Sequence, residues 1–152
     1  MELFLAIAVI CIQGVSATPQ GTTLPQVFAG TWVLDPARSV LYGGVKRELE
    51  LVVVSGPSTI KVTERRPSGE DEYSVTADGQ PHEHTSAGGV FSRTLRREKG
   101  DLVFHVTMTR LADKASIRYT ERWSLSDAGR TLTVYTAYPG GRDVLKVFAR
   151  KD

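Results

Sequence analysis

No stretch of this chain sustains an apolar repeat at helical spacing; instead, short β-rich runs recur roughly every 8 to 12 residues, each bounded by Gly, Pro, Asp or Ser. The runs are Gly30–Asp35, Arg47–Ser55, Thr59–Arg65, Asp71–Ala77, Val90–Glu98, Leu102–Arg110, Ser116–Leu125, Thr131–Tyr138 and Asp143–Arg150. Between them stand Gly56-Pro57, Pro67-Ser68-Gly69, Asp78-Gly79, Lys99-Gly100-Asp101, Asp127-Ala128-Gly129 and Pro139-Gly140-Gly141, residues that fix φ or accept a positive φ, as a tight reversal requires. Short turns between consecutive runs predict an antiparallel up-and-down meander. Period-two alternation predicts which face is buried: Leu102, Phe104, Val106 and Met108 share one face, as do Ile117, Tyr119, Trp123 and Leu125, and Leu132, Val134, Thr136 and Tyr138. An open sheet of this size exposes two edges and an apolar face, so the all-β meander is expected to close, as a barrel of about 8 to 10 strands in preference to a sandwich.

The 152 residues suffice for one hydrophobic core, so a single domain is expected over residues 28–152. Ahead of it, Met1–Ala17 has the outline of a signal peptide: an apolar run from Leu3 to Ile12, a polar break at Gln13-Gly14, and the small residues of Val15-Ser16-Ala17. Glu2 stands where a basic residue is usual, and an uncleaved N-terminal anchor is the competing reading. The run is short for a membrane span of ~20 residues, so cleavage after Ala17 is expected, without membrane insertion afterwards. Residues 18–27, polar and proline-bearing, read as a flexible lead-in. Cys11 follows Ile10 rather than the small residue that lipidation needs, and it leaves with the leader. The expected mature chain, secreted or periplasmic, then has no thiol, which excludes disulfides, cysteine catalysis and cysteine-ligated metals.

Loss of Glu2 changes 19 basic against 17 acidic residues to 19 against 16, a net charge of +3 with the signs interspersed. The one basic cluster, Arg93, Arg96, Arg97 and Lys99, would be split between the two faces of a strand. Without an aromatic platform it reads as a solvated strand end rather than a nucleic-acid site.

The string FAGTWVLDPARS from Phe28 to Ser39 resembles the opening strand of lipocalin-like domains, with Gly30 and Trp32 as the Gly-x-Trp element. Together with TADGQPH at Thr76–His82 and RWSLSDAGRTLTV at Arg122–Val134, it is similar to a group of small secreted bacterial proteins of uncharacterised function. The resemblance implies a calycin-type barrel and no particular activity. It further implies that Trp32 packs across the closed end and that a late arginine covers its ring, for which Arg150 is the candidate. Thr136-Ala137-Tyr138 resembles the Thr-Asp-Tyr of classical lipocalins but lacks the aspartate.

Few residues suggest chemistry. His82 and His84 lie two apart, so on a strand they would share a face, and His105 could supply a third nitrogen. Nothing in the sequence brings His105 to them, so exposed loop histidines are expected and neither a metal nor any other cofactor is implied. No Gly-x-Ser-x-Gly, phosphate-binding loop or His-x-x-x-His occurs, and no enzyme is expected. Glu121 is more informative: it falls between Tyr119 and Trp123 on an apolar face, where an unpaired carboxylate is costly. It requires an inward cation such as Arg110 or Lys146, or else it orients a ligand.

The expected function is therefore binding of a small, mostly apolar molecule in the barrel interior, with Glu121, Tyr119, Trp123, Phe104 and Met108 as candidate contacts. The alternative is a filled barrel whose rim loops dock on another protein, as an inhibitor would. A histidine-based enzyme or metal carrier is the third reading. Interior space separates the first two, and side-chain identity alone leaves open whether the large inward residues fill it.

Overall fold

The computed structural model describes residues 24–42 and 48–152. Ten antiparallel strands form a single sheet: β1 (Gly30–Leu34), β2 (Glu50–Ser55), β3 (Thr59–Arg66), β4 (Gly69–Thr76), β5 (His82–Ser86), β6 (Gly89–Glu98), β7 (Asp101–Thr109), β8 (Ser116–Ser126), β9 (Thr131–Ala137) and β10 (Val144–Lys151). Their spatial order is β4-β3-β2-β1-β10-β9-β8-β7-β6-β5, so consecutive strands pair at every step except β4 to β5, and β1 pairs with β10. The result is the expected meander, curled into a nearly closed barrel. Its two edges, β4 and β5, approach each other without joining in the hydrogen-bonded ladder.

Turn chemistry sets the hairpins where the sequence indicates. At the β6–β7 reversal Lys99 and Gly100 both have positive φ, the two-residue hairpin conformation that matches strand twist. At the β5–β6 reversal Gly89 has φ +153°, and a Cβ there would stand 2.4 Å from the Thr109 carbonyl oxygen, so only glycine lets β6 start this close to β7.

Register places Leu95, Phe104, Glu121 and Thr136 in one row across β6 to β9, and Arg93, Val106 and Tyr119 in the next. The face of Leu102, Phe104 and Val106 points inward and is almost fully buried, as alternation requires, whereas His105 between them is exposed. The histidine segment that reads as a loop is a strand, β5. Its inward positions are polar and leave no apolar alternation in the sequence. Of the lead-in expected over residues 18–27, only residues 24–27 are described, and they are not a free segment. From Leu24 onward the chain is packed, with Leu24 and Phe28 buried, a 3₁₀ turn at Gln26–Phe28, and the Leu24 N–H donating to Pro57 O at 2.7 Å. The leader, Met1–Ala17, lies outside the described residues.

Candidate functional site: a barrel half filled and half hollow

The two ends of the barrel differ. At one end Leu24 and Phe28 plug the opening, and Trp32, Ile60, Val62, Val75, Leu102, Phe104, Trp123, Leu132 and Phe148 fill the space behind them. Trp32 is fully buried and its indole N–H donates to Phe28 O at 3.0 Å. Arg150 lies with its guanidinium carbon 4.3 Å from the Trp32 ring centroid. It donates to three carbonyls, Ala29 (2.8 Å), Val27 (2.7 Å) and Gly129 (2.9 Å), so one side chain ties the N-terminal turn to the β8–β9 turn. Gly30 makes this possible: its φ is +140°, and a Cβ there would come within 2.8 Å of Arg150 Nη1. Gly30, Trp32 and Arg150 thus meet at the closed end, and all three do structural work.

The other half is hollow. A cavity of about 660 Å³ opens between the β1–β2, β3–β4 and β5–β6 connections, within the ~300 to 1,000 Å³ usual for small-molecule sites. Its apolar wall includes Leu34, Leu49, Phe91, Tyr119, Tyr138 and Val144, and its charged wall includes Glu64, Arg66, Asp71, Arg93, Glu121 and Lys146. A second groove of about 740 Å³ beside β1 to β3 is lined by Val33, Pro36 and the Arg65–Glu50 ion pair and shares Leu34, Leu49 and Arg66 with the cavity.

Several of the interior charges compensate one another. Glu64 pairs with Arg66. Asp71 on β4 lies 2.9 Å from His84 Nε2 on β5, across the seam where the two barrel edges meet, although the approach is out of line for a hydrogen bond. The same seam carries a ring cluster, with Tyr73 and His84 centroids 5.9 Å apart and His84 and Phe91 6.2 Å apart. Arg93 lies over two of these rings, 4.0 Å from the Tyr73 centroid and 4.7 Å from that of Phe91. It is 7% exposed, and its Nη1 has no hydrogen-bond partner among the described residues.

Glu121 accepts a hydrogen bond from Trp123 Nε1 at 3.3 Å and makes no ion pair among the described residues. Of the two cations proposed for it, Arg110 sits at the β7–β8 turn and pairs with Asp113 at 2.6 Å, so that pairing is corrected; Lys146 lines the same cavity as Glu121. Burial raises the phenol pKa values of Tyr73, Tyr119 and Tyr138, and the Glu121 carboxylate adds to each shift because a second negative charge beside it is disfavoured. The cavity tyrosines are therefore neutral hydrogen-bonding groups.

Of the five candidate ligand contacts, Tyr119 and Glu121 line the cavity. Phe104 and Trp123 instead belong to the packed half, with ring centroids 5.2 Å apart, and Met108 is partly buried on the inner face beside Phe91. The three histidines do not converge: His82 contacts Asp78 at 2.9 Å, His84 faces Asp71, and His105 lies on the outer face beside Arg96 and Thr120. Arg93 does not belong to a solvated basic cluster as its sequence neighbours Arg96, Arg97 and Lys99 suggest: it points inward and is buried. The sequence signal for it is the period-two relation to Phe91 and Leu95, which puts Arg93 on their face of the strand.

An antiparallel barrel with a hollow interior of this kind has the calycin-like fold. No protein-family model and no curated protein matches the sequence. Solved structures do match in shape. Fatty-acid-binding protein 1 of Echinococcus granulosus superposes with a TM-score of 0.66 at 12% identity, over 84% of this chain and all of that one. The fatty acid transporter REP1-NXSQ gives 0.63 at 12% identity, over 82% of this chain and 96% of its own. Secretory abundant heat soluble protein 4 of Ramazzottius varieornatus gives 0.65 at 10% identity, over 85% and 98%. At such identities the likeness establishes the fold.

Proposed function

We propose that this protein is an exported, non-catalytic binding protein that holds a small molecule with an apolar body in the open half of its barrel. The observation that carries the reading is the cavity of about 660 Å³, walled on one side by Leu34, Leu49, Phe91 and Val144, in a barrel whose other half is fully packed. The binding roles named for the similar barrels, fatty-acid-binding protein and fatty acid transporter, support it. Export rests on the apolar run Leu3–Ile12 followed by Val15-Ser16-Ala17.

Titration with the neutral fluorophore N-phenylnaphthylamine tests the binding reading. Saturable enhancement with one site per chain is expected, and Val144→Trp, which adds bulk to the cavity wall, should abolish it. Enhancement that never saturates, or that survives the tryptophan, would show that the probe sits on the outer surface.

A further inference from the structure

The charged side of the cavity specifies more than an apolar guest. Glu64 is neutralised by Arg66. Arg93, Lys146 and Glu121 make no ion pair among the described residues, and Asp71 faces only the His84 imidazole. Of these Arg93 is the most deeply placed. A guanidinium presents five N–H donors, and burial without an acceptor is costly. The faces of Tyr73 and Phe91 compensate its charge in part but accept no in-plane hydrogen bond. What Arg93 lacks is a planar or oxygen-rich anion lying in the cavity.

We infer that the cavity selects an amphiphile with a single anionic head group, seated on Arg93 with its apolar body along the wall of Leu34, Leu49 and Val144. This deepens the proposed function and rests on it. A guanidinium and a carboxylate form charge-assisted, bidentate hydrogen bonds, stronger than neutral ones and stronger still away from water. Lys146 adds a second positive charge, and Glu121 opposes the anion. That opposition limits the site to single negative charge and gives a second handle on the same interaction.

The test compares two probes of equal chain length, dodecanoate and dodecanol, each displacing N-phenylnaphthylamine at neutral pH. In the unmodified protein dodecanoate should bind about tenfold more tightly than dodecanol. Arg93→Met should erase that ratio while leaving dodecanol within about twofold, Arg93→Lys should restore part of it, and Glu121→Gln should strengthen dodecanoate alone. Unchanged N-phenylnaphthylamine affinity certifies that each variant is folded, and should both Arg93 variants fail to fold, the ratio in the unmodified protein decides by itself. Equal binding of the two probes, or a ratio that survives Arg93→Met, overturns the anionic head group and leaves the binding barrel standing. Failure of both probes, together with the neutral fluorophore, overturns the binding barrel and this inference with it.

Discussion

Replacing Arg150 by methionine keeps a long side chain over Trp32 and removes the guanidinium. The structure sets the size of the loss. Three hydrogen bonds of 2.7 to 2.9 Å to Val27, Ala29 and Gly129 disappear, along with the cation over the indole at 4.3 Å. Hydrogen bonds from a charged donor contribute about 1.5 to 3 kcal/mol each when buried, but these acceptors are only partly buried and regain water, which reduces each to about 1 kcal/mol or less. The ring contact adds about 0.5 to 1 kcal/mol, and methionine returns part of the packing. Arg150→Met should therefore cost about 2 to 4 kcal/mol in urea unfolding. The loss should be localised as well as global. The Leu24 and Ala29 amides, bonded to Pro57 and Gln26 carbonyls, should lose hydrogen-exchange protection before the β6–β8 amides do. A change below about 0.5 kcal/mol, with those two amides still protected, would refute the view that Arg150 fastens the closed end.

Gly30→Ala should act in the same direction, since it forces an L side chain into φ +140° and against Arg150 Nη1. A variant as stable as the parent would show that the clamp yields. Trp32→Ala should lower stability by ~3 to 5 kcal/mol, as expected for a fully buried tryptophan, with the urea midpoint as the readout. Glu121→Gln should stay within about 1 kcal/mol of the parent, because the amide oxygen still accepts from Trp123 Nε1 and no cation loses a partner. A loss near 3 kcal/mol would reveal a buried ion pair with Lys146. On the alkaline side, stability should fall as pH rises above the ordinary phenol value of about 10. The unfolded chain then ionises Tyr73 and Tyr119 while the fold holds them protonated, so each lowers stability by up to about 1.4 kcal/mol per pH unit. Near-UV titration showing all five tyrosines ionising normally in the native protein would contradict this. Intact mass of protein from its exporting host should correspond to a chain starting at Thr18, and a mass for all 152 residues would remove the export proposal.

The barrel was legible because its packed half obeys alternation: Leu102, Phe104 and Val106 are inward, and the turns carry the residues that reversals need. The site was less legible because inward positions in a hollow half need not be apolar. Glu121 stood out only through its aromatic neighbours, Tyr119 and Trp123. Arg93 has such a frame in Phe91 and Leu95, but it stands close to Arg96 and Arg97, which are exposed, so composition masked its direction. β5 was missed for the same reason, since its inward His82, His84 and Ser86 give no hydrophobic signal. Where the packed half ends and the cavity begins is a matter of side-chain volume at each height of the closed barrel. On β8 Trp123 and its cross-strand partner Leu102 are buried, while Glu121 and Tyr119, further along the same strand face, border open space.

The central claim is that a ligand enters the open half and leaves the closed half untouched. Intermolecular NMR contacts between bound dodecanoate and the protein test it most directly. The account predicts contacts from the alkyl chain to Leu34, Leu49, Phe91, Tyr119 and Val144, and none to Phe104, Leu132 or Phe148. Contacts confined to outward residues such as Val33, Val54 or Tyr135, or none despite measurable binding, would contradict it.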